Sequence, residues 1–192
     1  MSEADPEIAA WAGIGPGRLV LIVGPSGAGK DTLIDAAREA LQGDPRIVFA
    51  RRVVTRPPSP HEDHDSLDED AFEAARAGFA LAWEAHGLRY GVPAAIDDQV
   101  RSGRVVVVNA SRTVVALARE RYAQARIVLV DAPAEVRAAR VAGRGRDSDG
   151  DIAARLERLA VRPSETGPPD VVIVNDRSIE AGVRALLDAL GV

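Results

Sequence analysis

Short uninterrupted apolar runs recur along the chain, at residues 19–23, 105–108, 127–130 and 171–174, the second and third closed by Asn109 and Asp131, with a less uniform run at 47–54. A run of this length without polar alternation predicts a strand buried on both faces. The segments between them repeat at helical spacing instead. Leu33, Ala37, Ala40 and Leu41 share one face of a helix predicted over 31–41, and Gly43 stops it. Further helices are predicted over 113–122, from Pro133 to about 142, over 151–160 and over 179–190. Buried strands alternating with helices predict an α/β fold, a parallel sheet wrapped by helices.

Two stretches break this alternation. Residues 57–103 begin with an acidic segment, 59–70, that reads as a loop. A short helix at 71–77 and two short strands, 80–83 and 90–92, around a turn at Gly87 follow it. The whole stretch reads as an inserted acceptor-binding subregion. Residues 144–152 combine glycine, arginine and aspartate as a lid would. Residues 1–17 read as a loose leader ending in the turn Gly15-Pro16-Gly17. The 192 residues suit one domain spanning 1–192.

Composition narrows the function classes. A net charge of −5 argues against a general affinity for nucleic acid or an anionic membrane. The absence of cysteine removes disulfides, thiol catalysis and thiolate metal sites. The first residues are acidic and lack a basic stretch before an apolar run, so no signal peptide is expected. No apolar run is long enough to cross a bilayer. A cytoplasmic protein is expected, with a small molecule as partner; a homodimer is compatible with the sequence.

The strongest motif follows the first strand. Gly24-Pro25-Ser26-Gly27-Ala28-Gly29-Lys30 fits the first seven positions of a phosphate-binding loop, set between a strand and a helix as that motif requires. Its glycines let backbone N–H groups turn around phosphate oxygens, and the next helix adds its positive end. Lys30 supplies a compact charge for the β- and γ-phosphates. The following position is usually Ser or Thr, whose hydroxyl meets Mg²⁺; here it is Asp31, with Thr32 next. ATP is therefore the expected cofactor, held by Gly24 through Thr32, and Asp31 and Thr32 are the candidate Mg²⁺ ligands. The structural alternative for Asp31 is a helix N-cap.

Arginines supply the remaining charge. Arg51, Arg52 and Arg56 close the second apolar run, at the strand ends that face the ligand crevice in open α/β sheets. Arg52 and Arg56 are candidates for bidentate phosphate contacts; the alternative is ion pairing with the acidic loop beside them. Arg144, Arg146 and Arg155 are candidates to neutralise a transferring phosphoryl group, and Arg155 shares a helix face with Arg158. Asn109, Ser111 and Arg112 follow the third strand and point to substrate, with capping as the alternative for Ser111. Tyr90 either donates its hydroxyl to an acceptor phosphate or packs in the core, while Trp83 reads as packing. His61, His64 and His86 fit no standard metal spacing and read as loop residues, with His86 a candidate for the pocket wall. Asp131 either orients Mg²⁺-bound water or caps a helix.

The phosphate loop, Thr55-Arg56-Pro57-Pro58 and Arg144-Gly145-Arg146 resemble the guanylate kinase-like branch of the nucleoside monophosphate kinases. The segment that would read guanine departs from that branch: it runs His61-Glu62-Asp63-His64-Asp65-Ser66 and lacks the expected tyrosine. A narrower family is more similar, the ribose 1,5-bisphosphate phosphokinases (PhnN type) of phosphonate breakdown. The likeness rests on Gly29-Lys30-Asp31, Thr55-Arg56, the block from Trp83 to Val92, Ile96-Asp97, Val108 to Arg112, Gly143 to Arg146 and Ala154-Arg155-Leu156. The resemblance implies a P-loop kinase that converts ATP and ribose 1,5-bisphosphate to ADP and 5-phosphoribosyl 1-diphosphate. The competing expectations are guanylate kinase and a nucleotide-binding module without catalysis.

Overall fold

The computed structural model describes residues 13–57, 64–142 and 167–191. In chain order its strands are β1 (Arg18–Val23), β2 (Ile47–Phe49), β3 (Arg52–Val54), β4 (His64–Ser66), β5 (Phe79–Ala85), β6 (Leu88–Pro93), β7 (Val105–Asn109), β8 (Ala125–Asp131) and β9 (Val171–Val174). Its α-helices are α1 (Lys30–Ala40), α2 (Glu69–Ala75), α3 (Ala95–Arg101), α4 (Val115–Arg121), α5 (Ala134–Ala142) and α6 (Ile179–Leu190). Five strands form a sheet in the order β2-β7-β1-β8-β9, in which β2–β7 and β8–β9 run parallel. This is the α/β fold with a parallel central sheet that the apolar runs predict. Leu19 through Ile22 are fully buried, so no position in that run tolerates a polar side chain. By contact the described chain separates into two compact units, with the division inside β1: one holds residues 13–21, 43–57 and 64–126, the other 22–42, 127–142 and 167–191.

In the first of these units the predicted strand at 47–54 is two strands in two sheets. Phe49 ends the pairing with β7, and after Ala50 and Arg51 the chain enters a four-stranded sheet of order β4-β3-β6-β5. Arg51 and Arg52 interrupt the apolar run at this crossing, and Val53 and Val54 resume it in β3, so two strands read as one less uniform run. The acidic segment 59–70 is also not all loop. His64–Ser66 adds to β3 in parallel register, and Asp68 caps α2 by accepting the Ala71 N–H at 2.7 Å. The hairpin of β5 and β6 turns at His86 and Gly87, both with positive φ. The helix α3 was not expected, although Ile96 and Val100 mark its buried face.

A buried polar cluster fastens α3. The Tyr122 hydroxyl donates to Asp97 Oδ1 at 2.6 Å, and the Arg121 guanidinium binds both carboxylate oxygens. Asp97 is buried, and burial pushes the Tyr122 hydroxyl well above the ordinary tyrosine range, with its hydrogen bond to Asp97 adding to the rise. The end of the predicted leader is tied to the same place. Ile14 donates to the Arg121 carbonyl at 2.8 Å and accepts from Ala123 at 3.0 Å.

In the other unit α6 crosses α1 closely at Gly182, where a Cβ would meet Leu33 Cδ2 at 2.8 Å. Ser178 caps α6 through the Ala181 N–H. The helix expected over 151–160, most of the leader, and Pro58 and His61 lie outside the described residues.

Candidate active site

The loop of residues 24–29 joins β1 to α1 as the motif requires. Its path depends on residues without side chains. Gly24 has φ 146°, and a Cβ there would overlap the Val130 carbonyl. Gly29 takes the left-handed conformation as N-cap of α1, so Asp31 sits in the first turn of the helix and is not its cap. The Lys30 ammonium donates to the carbonyls of Gly24 at 2.8 Å and Pro25 at 3.0 Å. These bonds tie the charge to the loop that would surround a triphosphate.

Two residues that the motif does not contain brace this loop. Asn175 follows β9, is 6% exposed, and donates its side-chain amide to the Ala28 carbonyl at 2.8 Å. Arg140 on α5 donates to Gly27 at 3.5 Å, Ala28 at 3.4 Å and the Asn175 carbonyl at 3.2 Å. One guanidinium thus neutralises carbonyl dipoles on the outside of the loop and adds positive potential beside it. One turn earlier Arg137 lies 3.8 Å from Asp131 Oδ1, with its Nε shut off from solvent. Asp131 Oδ1 also accepts the Ala132 N–H at 2.8 Å, closing the turn that leads to α5.

Magnesium fits the donor set present. Asp31 is half-buried and Thr32 exposed at the start of α1, and both offer hard oxygen ligands. Among the described residues no three acidic or histidine side chains gather into a metal cage. Mg²⁺ needs only one or two protein oxygens when phosphate oxygens and water complete its octahedron.

In the other unit, register sorts the predicted acceptor residues onto faces. Arg52 pairs with His64, Val54 with Ser66 and with Tyr90, and Tyr90 with Trp83. Paired residues project to one side of a sheet, so these six share a face. The Tyr90 ring stacks on Trp83 with centroids 5.3 Å apart, and the Arg52 guanidinium lies over Tyr90 at 5.9 Å. Asp65 and Glu84 project to the opposite face. There Arg51 bridges Asp65 at 3.0 Å, which makes it the surface ion pair that was its alternative reading. Arg89 bridges Glu73 at 3.2 Å and Glu84 at 3.5 Å on the same side.

The histidines divide. His86 is exposed in the hairpin turn, whereas His64 is 6% exposed and its expected place in a solvated loop is wrong. Pairing with β3 carries it inward, an effect its polar neighbours conceal. Thr55 accepts the Arg89 N–H at 2.9 Å, which sets the exit of β3 just before half-buried Arg56. Ser111 accepts the Thr113 N–H at 3.3 Å and so caps the turn that carries Arg112. Asn109 ends β7. Arg144, Arg146, Arg155 and Arg158, with the predicted lid, lie outside the described residues. No described helix is long and apolar enough to cross a membrane.

Comparison with known proteins places this geometry in context. A family model described as an AAA domain matches residues 19–162. The ribose 1,5-bisphosphate phosphokinase PhnN of Rhodopseudomonas palustris is 53% identical over 92% of this chain and 90% of its own. The protein of the same name from Methylobacterium radiotolerans is 59% identical over 74% of this chain and 82% of its own. Among solved structures, guanylate kinase from Anaplasma phagocytophilum superposes with a TM-score of 0.64 at 21% identity, covering 91% of this chain and 85% of the other. That last likeness is one of fold.

Proposed function

Because this chain belongs to the PhnN family of ribose 1,5-bisphosphate phosphokinases, we propose that it transfers the γ-phosphoryl group of ATP to ribose 1,5-bisphosphate. The products are ADP and 5-phosphoribosyl 1-diphosphate. The observation that carries the reading is identity above half with relatives of that name over most of both chains.

An oxygen of the acceptor's 1-phosphate attacks the γ-phosphorus, and the bond from that phosphorus to the bridging oxygen of ADP breaks. The acceptor oxygen is already anionic near neutral pH, because a phosphate monoester has its second pKa at about 6. No general base is required, and the protein's task is positioning and charge neutralisation. Lys30 binds the β- and γ-phosphates on a loop that Arg140 and Asn175 hold in shape. Asp31 and Thr32 would hold Mg²⁺, which would neutralise phosphate charge. Arg144, Arg146 and Arg155 stabilise the phosphoryl group in transit. Arg52, Arg56, Tyr90, Asn109, Ser111 and Arg112 bind the acceptor. The setting is the cytoplasm.

Phosphorus NMR tests the reaction directly. With ATP, Mg²⁺ and ribose 1,5-bisphosphate, the expected result is the loss of the sugar 1-phosphate signal and the growth of two coupled diphosphate resonances from the new product. Release of inorganic phosphate with the sugar signals unchanged would overturn the proposal.

A further inference from the structure

We propose that His64 and Ser66 bind a phosphate group of the sugar phosphate acceptor, through hydrogen bonds from the imidazole and the hydroxyl. The inference rests on the function proposed above and adds to it two residues of the acceptor site.

Both imidazole nitrogens of His64 and the hydroxyl of Ser66 are buried, and none has a hydrogen-bond partner among the described residues. Buried polar groups are nearly always paired, so two residues left unpaired two positions apart on one strand require an explanation. Packing alone does not supply one. An apolar side chain of similar shape would fill the same space without the cost of desolvating polar atoms.

Strand period gives the direction. His64 and Ser66 share the face that carries Arg52 and Tyr90, while Asp65 between them turns away to its ion pair with Arg51. The one carboxylate of β4 is thus held off that face, as is Glu84 of β5. What remains is rich in donors. Imidazole presents at least one N–H in either tautomer, serine one O–H, tyrosine one O–H and arginine its planar fork. A group with several acceptor oxygens and negative charge matches this set, and a phosphate has both.

The test uses the full-length chain with His64→Leu, His64→Asn and Ser66→Ala. The acceptor KM should rise about tenfold or more in His64→Leu, as loss of a charge-assisted hydrogen bond implies. ATP KM should be unchanged and the thermal midpoint unchanged or higher, because an unpaired buried group has been removed. His64→Asn, which keeps a donor, should recover part of the acceptor affinity. An unchanged acceptor KM overturns the proposal, and so does a lower midpoint with both KM values raised, since that marks a structural residue. A second measurement is independent of turnover: titration with inorganic phosphate, followed by NMR at the imidazole that His64→Asn removes from the three histidine signals. The His64 signal should shift with phosphate. If it does not, the pair is not a phosphate site. If it does, and ribose 1,5-bisphosphate is not phosphorylated by the unmodified protein, the pair stands and the proposed reaction falls.

Discussion

The phosphate loop and the inward face of the four-stranded sheet solve opposite problems. Around the loop, side chains close onto backbone: Lys30 on Gly24 and Pro25, Asn175 on Ala28, Arg140 on Gly27, Ala28 and Asn175. On the sheet face, Arg52, Tyr90 and Trp83 stack, and the side-chain polar atoms of His64 and Ser66 are buried with no hydrogen-bond partner among the described residues. The loop is organised before its ligand arrives, which lowers the ordering cost of binding. The sheet face instead keeps polar groups whose partners a ligand must bring. Substitutions in the first region should therefore damage nucleotide use and stability together, and those in the second should damage acceptor use alone.

The largest effect expected is at Lys30. Lys30→Ala should keep its fold by circular dichroism with a lowered unfolding midpoint, and lose about 10²–10³ in turnover, the usual scale for removing a charge that acts on the transition state. Turnover near the original rate would break the comparison at its first region. Arg56→Ala comes next. It should lower kcat/KM for the sugar phosphate by about 10–10², as loss of a guanidinium–phosphate contact implies, with little change in ATP KM. Equal losses for both substrates would remove the distinction between the regions.

Asn175→Ala sharpens the comparison from the loop side. It leaves the buried Ala28 carbonyl short of a donor and should cost about 1–3 kcal/mol in urea unfolding, together with a raised ATP KM. A stability loss with ATP KM unchanged would reduce Asn175 to a packing residue. The smallest effect is a control at the Asp97–Tyr122 lock. The folded Tyr122 hydroxyl titrates above the unfolded value of about 10, so the unfolded chain loses this proton first as pH rises. The stabilising contribution is complete below about pH 10 and declines above it. Urea unfolding should show a steeper fall in stability from pH 9 to 11 in the original protein than in Tyr122→Phe. Parallel curves would contradict the assigned cause.

Contiguity decided what the sequence revealed. The phosphate loop is seven adjacent residues between a strand and a helix, so its role was readable at once. Its braces were not, because Asn175 reaches Ala28 across 147 residues and Arg140 across 112. Strands β1 and β7 announced themselves because burial on both faces leaves only apolar positions. By contrast, β9 has the same apolar sequence but exposes Val172 and Val174, so its expected burial on both faces is wrong. In β4 the same physics misleads: His64-Asp65-Ser66 contains no apolar residue, and only pairing with β3 makes it a strand. Period two then separates His64 and Ser66 from Asp65, but a polar triplet gives no hydrophobic alternation by which to see it. The helix α3 could have been read from Ile96 and Val100, and was obscured by the irregular segments on either side.

The central claim is substrate choice, and one comparison of rates tests it. With ATP and Mg²⁺ fixed, kcat/KM is measured for ribose 1,5-bisphosphate and for GMP on the same preparation. A large preference for the bisphosphate is expected, because the segment that would read guanine lacks the expected tyrosine and carries His64 and Ser66. A value for GMP equal to or above that for the bisphosphate would contradict it.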